Sequence, residues 1–132
     1  AIPIQQMDYR YSKDKWTIKE VLQHLIDTER IFSYRTFRIG RGDVTPLADF
    51  DQTKYIVPSG ASLKNKADLL NEFELGRNHS IALMKSLSDR DFSRIGISSL
   101  HPMSARAAAF TILGHDIWHM DIVQERYLAE TI

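Results

Sequence analysis

Cysteine is missing from all 132 residues, which removes disulfides and thiolate metal ligands and means that any thiol chemistry must draw on a second molecule. The same lack fits a reducing, cytoplasmic setting. Net charge is missing too. The 17 Lys and Arg residues balance 17 Asp and Glu, so no broad basic face exists to attract DNA, RNA or an anionic membrane. No apolar run approaches the ~20 residues that span a bilayer. The opening AIPIQQMDYRYSKDK lacks the basic start and apolar h-region of a signal peptide. There is no internal repeat, no low-complexity tract, and no run of alternating apolar and polar residues that would argue for a sheet.

What is present is helical period in three long segments, at about residues 17–39, 63–87 and 105–128, within one domain spanning 1–132. Thr17 and Glu20 read as a capping box, with Trp16 and Val21 closing a hydrophobic staple over it. Ile18, Val21, Leu22, Leu25 and Phe32 form the first stripe. Gly40 and Gly42 end it, where Arg35, Arg38 and Arg41 suit the negative pole of the helix dipole. Residues 40–61 carry glycines and two prolines without a period and read as a long connection. Ser62 is the expected cap of the second helix, whose stripe is Ala67, Leu70, Phe73, Ile81 and Met84. DRDFSRIGISSLHPM returns the chain, and Ser104 caps a third helix lined by Ala108, Ala109, Ile112, Val123 and Tyr127. Rods of this length, each ~37 Å long, bury their stripes by packing as an all-α bundle.

The chemistry-bearing residues are those that interrupt the stripes. At about 100° per residue with Ile18 at zero, the apolar arc of the first helix centres near 340°, Glu29 falls at about 20° and His24 at about 240°. On the third helix His115 and His119 project from one face a single turn apart, with Asp116 beside them. Arg77 lies inside the stripe of the second helix. A buried unpaired charge is costly, so these groups should have partners. A histidine pair at i, i+4 presents two imidazole nitrogens to one ion, and a third from a facing helix would complete an open N3 set. Imidazole donors suit zinc or nickel, and also iron or manganese. The competing reading is that helix-face histidines are merely solvated or hydrogen-bonded. His79, on the outward side of its helix, and His101, in a loop, are read that way. The motif H-D-I-W-H lacks the glutamate of H-E-x-x-H, which rules out a zincin-type protease. Asp116 either orients a nucleophile or forms an ion pair with Arg77. Glu29 either accepts the spare N–H of a ligand ring or pairs with Arg77 itself. Trp118 points to another side and is expected to pack in a core or interface.

KWTIKEVLQHLIDTER, GDVTPLADFDQTKY and GHDIWHMDIVQERYL, in this order, resemble the DinB-like superfamily of DNA-damage-inducible proteins, closest to the branch described as metal-dependent hydrolases. The resemblance covers about residues 15–128. It implies a four-helix bundle, commonly a homodimer, and a divalent metal held by one histidine on one helix and an H-x-x-x-H pair on the last. Carried over, these are His24, His115 and His119. Asp116 and Glu29 are then candidates to assist the chemistry, with Arg77 supporting the site or the substrate. Some relatives are S-transferases that use a low-molecular-weight thiol, and DNA binding is not general in the family. Relatives also carry a helix before the position of Lys15-Trp16-Thr17, where this sequence has only a short irregular stretch. The expectation is that this first bundle helix is absent from the chain or replaced by a partner, since three rods alone would expose an apolar groove.

Two functional classes follow. One is an enzyme, a metal-dependent hydrolase or thiol-dependent S-transferase acting on a small-molecule substrate. The alternative is a non-catalytic, metal-stabilised dimerisation or ligand-binding bundle.

Overall fold

The computed structural model describes residues 2–128. Helix α1 (Ile18–Gly40) runs through the middle of the molecule, with α3 (Lys66–Lys85) and α5 (Ala105–Ile122) packed on either side of it. Short α2 (Gln52–Ser59) and α4 (Asp89–Ser93), and a two-stranded antiparallel hairpin of β1 (Ile95–Ser98) and β2 (His101–Ser104), fill the connections. Among the described residues, no helix is long and apolar enough to cross a membrane.

The expected capping box is formed. Glu20 N–H donates to Thr17 Oγ1 at 3.2 Å, and Thr17 N–H donates to Glu20 Oε2 at 2.7 Å. The second long helix starts later than its apolar pattern suggests, because Asn65 rather than Ser62 caps it through a bond from Asp68 N–H at 2.9 Å. Helix α2 has no apolar period and a proline in its last turn. It forms because Asp51 accepts from the Thr53 and Lys54 amides, and Gly60 supplies the left-handed stop at φ 66°. The return segment closes as a hairpin with Ser98 opposite His101, to which Leu47 adds a parallel bridge on Ser98. After Ile122 the last helix widens into a π-helical turn at Val123–Tyr127, and both of those residues are buried.

The core has two apolar ends and a polar waist. Met7, Ile18, Val21, Leu22, Ile26, Leu69, Val123 and Tyr127 pack at the start of α1. Ile39, Leu47 and Ala105 pack at its far end. Between them lie buried His24, Thr28, Glu29, Ser33, Arg35, Thr36, Ser80 and His119. The stripe expected on the second helix exists but is not what α3 buries: Leu69 and Ser80 face α1, while Leu70 and Ile81 are 47% and 41% exposed. Leu70 and Phe73 line one cavity with Asp116 and Met120 of α5, and Met84 lines another with Phe110 and Leu113, along the gap where α3 and α5 hardly touch each other.

Candidate metal centre

Burial of polar groups in the waist requires partners, and neighbouring helices supply several of them. Ser80 Oγ donates to Gly76 O at 3.1 Å and accepts from Ser33 Oγ at 2.6 Å. Glu29 receives Arg77 in two parallel bonds, Nε to Oε1 at 2.9 Å and Nη2 to Oε2 at 3.1 Å, and Nη2 also reaches Asp116 Oδ2. Arg77 therefore ties α3 to both neighbouring helices, with its guanidinium 5.2 Å from the Phe73 ring centroid. Of the two roles open to Glu29 and Asp116, the structure displays the ion pair with Arg77. Bonding to Glu29 holds the Arg77 guanidinium above its ordinary range. Burial raises the Asp116 carboxyl against the opposing pull of Arg77.

The three histidines meet on the other side of α1. His24 Nε2 lies 2.9 Å from His115 Nε2, and one ring nitrogen from each of His24, His115 and His119 falls within 4.8 Å of the others. Ring centroids are 4.5–4.8 Å apart. Helical spacing explains the pair on α5, whose side chains stack one turn apart over the face of α1 that carries His24. Burial pushes His24 down to about 3, helped by the neighbouring rings of His115 and His119, and His119 down to about 4. His115 is lowered as well, again by burial. Three neutral imidazoles converging on one point form a donor set of the right chemistry for a divalent ion. A tetrahedral zinc site with ~2.0–2.1 Å bonds separates its nitrogens by about 3.3 Å, within small ring rotations of the arrangement seen. His115 Nδ1 is buried with no hydrogen-bond partner, which leaves Nε2 as its working nitrogen.

Residues that the sequence pattern did not single out complete the surroundings. The Trp16 ring centroid lies 4.9 Å from that of His24, and the Trp16 carbonyl accepts from Tyr127 Oη at 2.8 Å, so the π-helical turn positions the wall of the site. Thr28 Oγ1 sits 3.5 Å from His24 Nδ1. Its i+4 spacing from His24 is the one signal in the sequence that pointed to it. Trp118 is not in the core of this chain: it is 59% exposed and stands edge-on to His119, with ring centroids 4.7 Å apart, so it lies beside the histidines rather than on another side. His79 and His101 are exposed and remote from the cluster.

Three imidazoles gathered on a helical bundle make a donor set that could hold one metal ion. The model of the DinB superfamily matches residues 1–123, and the chain belongs to that family. Among solved structures, YfiT from Bacillus subtilis, described as a probable metal-dependent hydrolase with an unusual four-helix bundle topology, is similar with a TM-score of 0.79 at 20% identity. The match covers 94% of this chain and 72% of YfiT. A similarity at that identity speaks to the fold, which is that of a four-helix bundle. No curated protein matches the chain significantly.

Proposed function

We propose that the chain is a metal-dependent hydrolase of small molecules, with His24, His115 and His119 as the ligands of one divalent ion, zinc or nickel. The observation that carries this reading is the convergence of three neutral imidazoles, buried His24 with the less enclosed His115 and His119, whose nitrogens fall within 4.8 Å of one another. The description of YfiT as a probable metal-dependent hydrolase agrees with it. When bound, such an ion supplies Lewis acidity that polarises a substrate oxygen or acidifies a nucleophile. The chain itself orients the ligand rings through Thr28, Trp16 and the helix packing, and excludes water on the α1 side through burial of His24.

S-transfer from a low-molecular-weight thiol is the second reading, and a specific feature favours it. Both carboxylates expected to assist the chemistry, Glu29 and Asp116, are engaged by Arg77, so neither is free to act as a general base. A thiol needs less help of that kind than water does, because it ionises near pH 8.5. With no cysteine in the chain, that thiol would be a second substrate.

Metal analysis of protein purified without an affinity metal, followed by zinc titration of wild type and His119→Ala, tests the ligand set. Loss of one of three ligands is expected to weaken zinc binding by at least about 100-fold. Unchanged zinc affinity in the variant would exclude this site. Assays of the zinc-loaded chain on ester and amide substrates, with and without added thiol, then divide hydrolysis from transfer.

We also propose that a second copy of the chain covers the groove between α3 and α5. Exposed Leu70, Ile81, Phe110, Leu113 and Ile117 along one face support this, since monomers rarely leave so large an apolar strip in water.

A further inference from the structure

Between α1 and α3 the surface opens into a cavity of about 690 Å³, a size that suits a small molecule. It shares no lining residue with the histidine cluster or with the cavities in the gap between α3 and α5. Its floor is made of small residues, Gly76 and Ser80 of α3 and Ser33 of α1. A Cβ placed on Gly76 would meet nothing within 4 Å. Glycine is a poor choice for a helix interior, and here neither a close neighbour nor a left-handed backbone calls for it. What its missing side chain provides is room.

The walls are aromatic and held in place. Tyr34 is 52% exposed and Phe37 42%, yet each carries an arginine against its ring. Arg38 Nη1 donates to Tyr34 Oη at 2.8 Å, and its guanidinium stands 5.5 Å from the ring centroid. Asp43 holds Arg38 in turn. Arg41 stands 5.6 Å from the Phe37 centroid, and it differs from Arg38 in one respect. Its side chain makes no hydrogen bond or ion pair among the described residues. Asp91 feels its charge, but that carboxylate is bonded by Ser88 and paired with Arg94 at 3.5 Å. Arg30, the other arginine of the lining, is committed to Asp27 and Glu72 at 3.1 and 2.8 Å. Arg41 is therefore the arginine of this cavity with a charge to offer.

The polar groups give the cavity a direction. Ser80 Oγ donates to Gly76 O, and Ser33 Oγ donates to Ser80 Oγ. Both hydroxyl protons of the floor are thus spent, and none is left for an anion. Beside Gly76 the Glu29 carboxylate, engaged by Arg77, adds a like charge. An anion is turned away from that end and toward Arg41, whose planar fork matches a carboxylate. The apolar surface between the two ends, edged by Tyr34, Phe37 and Leu83, suits a flat ring. We propose that this cavity binds a small aromatic carboxylate, with its ring over the Gly76 floor between Tyr34 and Phe37 and its carboxylate on Arg41. A single acid group matches a single uncommitted cation. The site is independent of the metal-centre reading and stands if that reading fails.

Calorimetric titration of the full chain with 2-naphthylacetate tests this, with isosteric 2-naphthylacetamide as the uncharged control and octanoate as the acid without a ring. The aromatic acid is expected to bind saturably, one per chain, at least about tenfold more tightly than either control. Arg41→Gln should lower its affinity to that of the amide and leave the amide unchanged. Gly76→Leu fills the floor and should abolish binding without lowering the melting temperature, since leucine is the better helix former and enters open space. Phe37→Ala, at an exposed position, reads the same site by a second route, with an expected loss of about tenfold even if the leucine variant does not fold. No saturable binding of the acid, or equal affinity for either control, overturns the proposal. Full affinity in folded Gly76→Leu or in Phe37→Ala does so too, because the acid would then sit elsewhere. Zinc-free and zinc-loaded chains should give the same affinity. Binding that needs zinc and disappears in His119→Ala would assign the acid to the histidine cluster and overturn this site.

Discussion

Three neutral histidines crowd one pocket, and their protonation makes a stability statement. In the unfolded chain each takes up a proton near its ordinary 6.5, whereas native His24 resists until about 3 and native His119 until about 4. The unfolded state therefore binds more protons between those limits. Stability is fully present above pH 6.5 and is lost as pH falls toward 4. The metal-free chain should melt at a lower temperature at pH 5 than at pH 7, and His24→Phe should flatten that dependence. Thermal melts across this window check it, and an unchanged slope in the variant would contradict the assignment. Arg77 is the second residue of consequence here. Arg77→Met strands the Glu29 carboxylate, 3% exposed, without its cation, and is expected to destabilise by about 2–4 kcal/mol, less than a fully enclosed pair because Arg77 itself is partly solvated. Urea titration of Arg77→Met, and of Arg77→Met with Glu29→Gln, should show partial recovery in the double variant.

At the scale of elements, α1 is enclosed because its two ends are covered differently. α3 and α5 flank it, and the β1–β2 hairpin lies across its C-terminal end. That crossing is close: a Cβ on Gly96 would stand 2.8 Å from Ile39 Cγ1 and 3.4 Å from Asp43 O. Ile39 is fully packed and cannot withdraw. Gly96→Ala should therefore cost about 1–3 kcal/mol through overpacking, read as a fall in the urea midpoint. Zinc affinity should be unaffected, since the hairpin contributes none of the three imidazoles. The hairpin itself was unexpected from the sequence. β1 exposes Ile95 and Ile97 and buries Gly96 and Ser98, an inverted alternation over only four residues that aims its apolar side away from the core. Helix α2 was hidden for another reason. Its stability comes from side-chain caps at Asp51 and a stop at Gly60, while Pro58 reads as a breaker.

For the whole molecule, the proposed second copy gives a concentration-dependent expectation. Ile117→Lys, placed on the exposed strip of α5, should shift sedimentation toward monomer without altering zinc affinity, because Ile117 faces away from the imidazoles. A wild-type chain that sediments as a monomer at high concentration would remove the dimer proposal. Metal loading should act on the whole fold by mass action: zinc at 100 times its dissociation constant adds about 2.7 kcal/mol, a rise in melting temperature of about 10 °C for a domain of this size.

Local periodicity alone fixed the three long helices, the Thr17–Glu20 box and the pairing of His115 with His119, because each depends on residues within one or two turns of one another. The resemblance in the motifs around His24 supplied the third histidine. Only the packing decided that His24 Nε2 meets His115, that Arg77 claims both carboxylates, and that Arg35 turns inward rather than decorating a helix terminus. Those outcomes depend on which neighbour reaches each side chain across the fold. Sequence spacing carries no record of such distances, since the same arginine is solvated or buried according to the loop that closes over it.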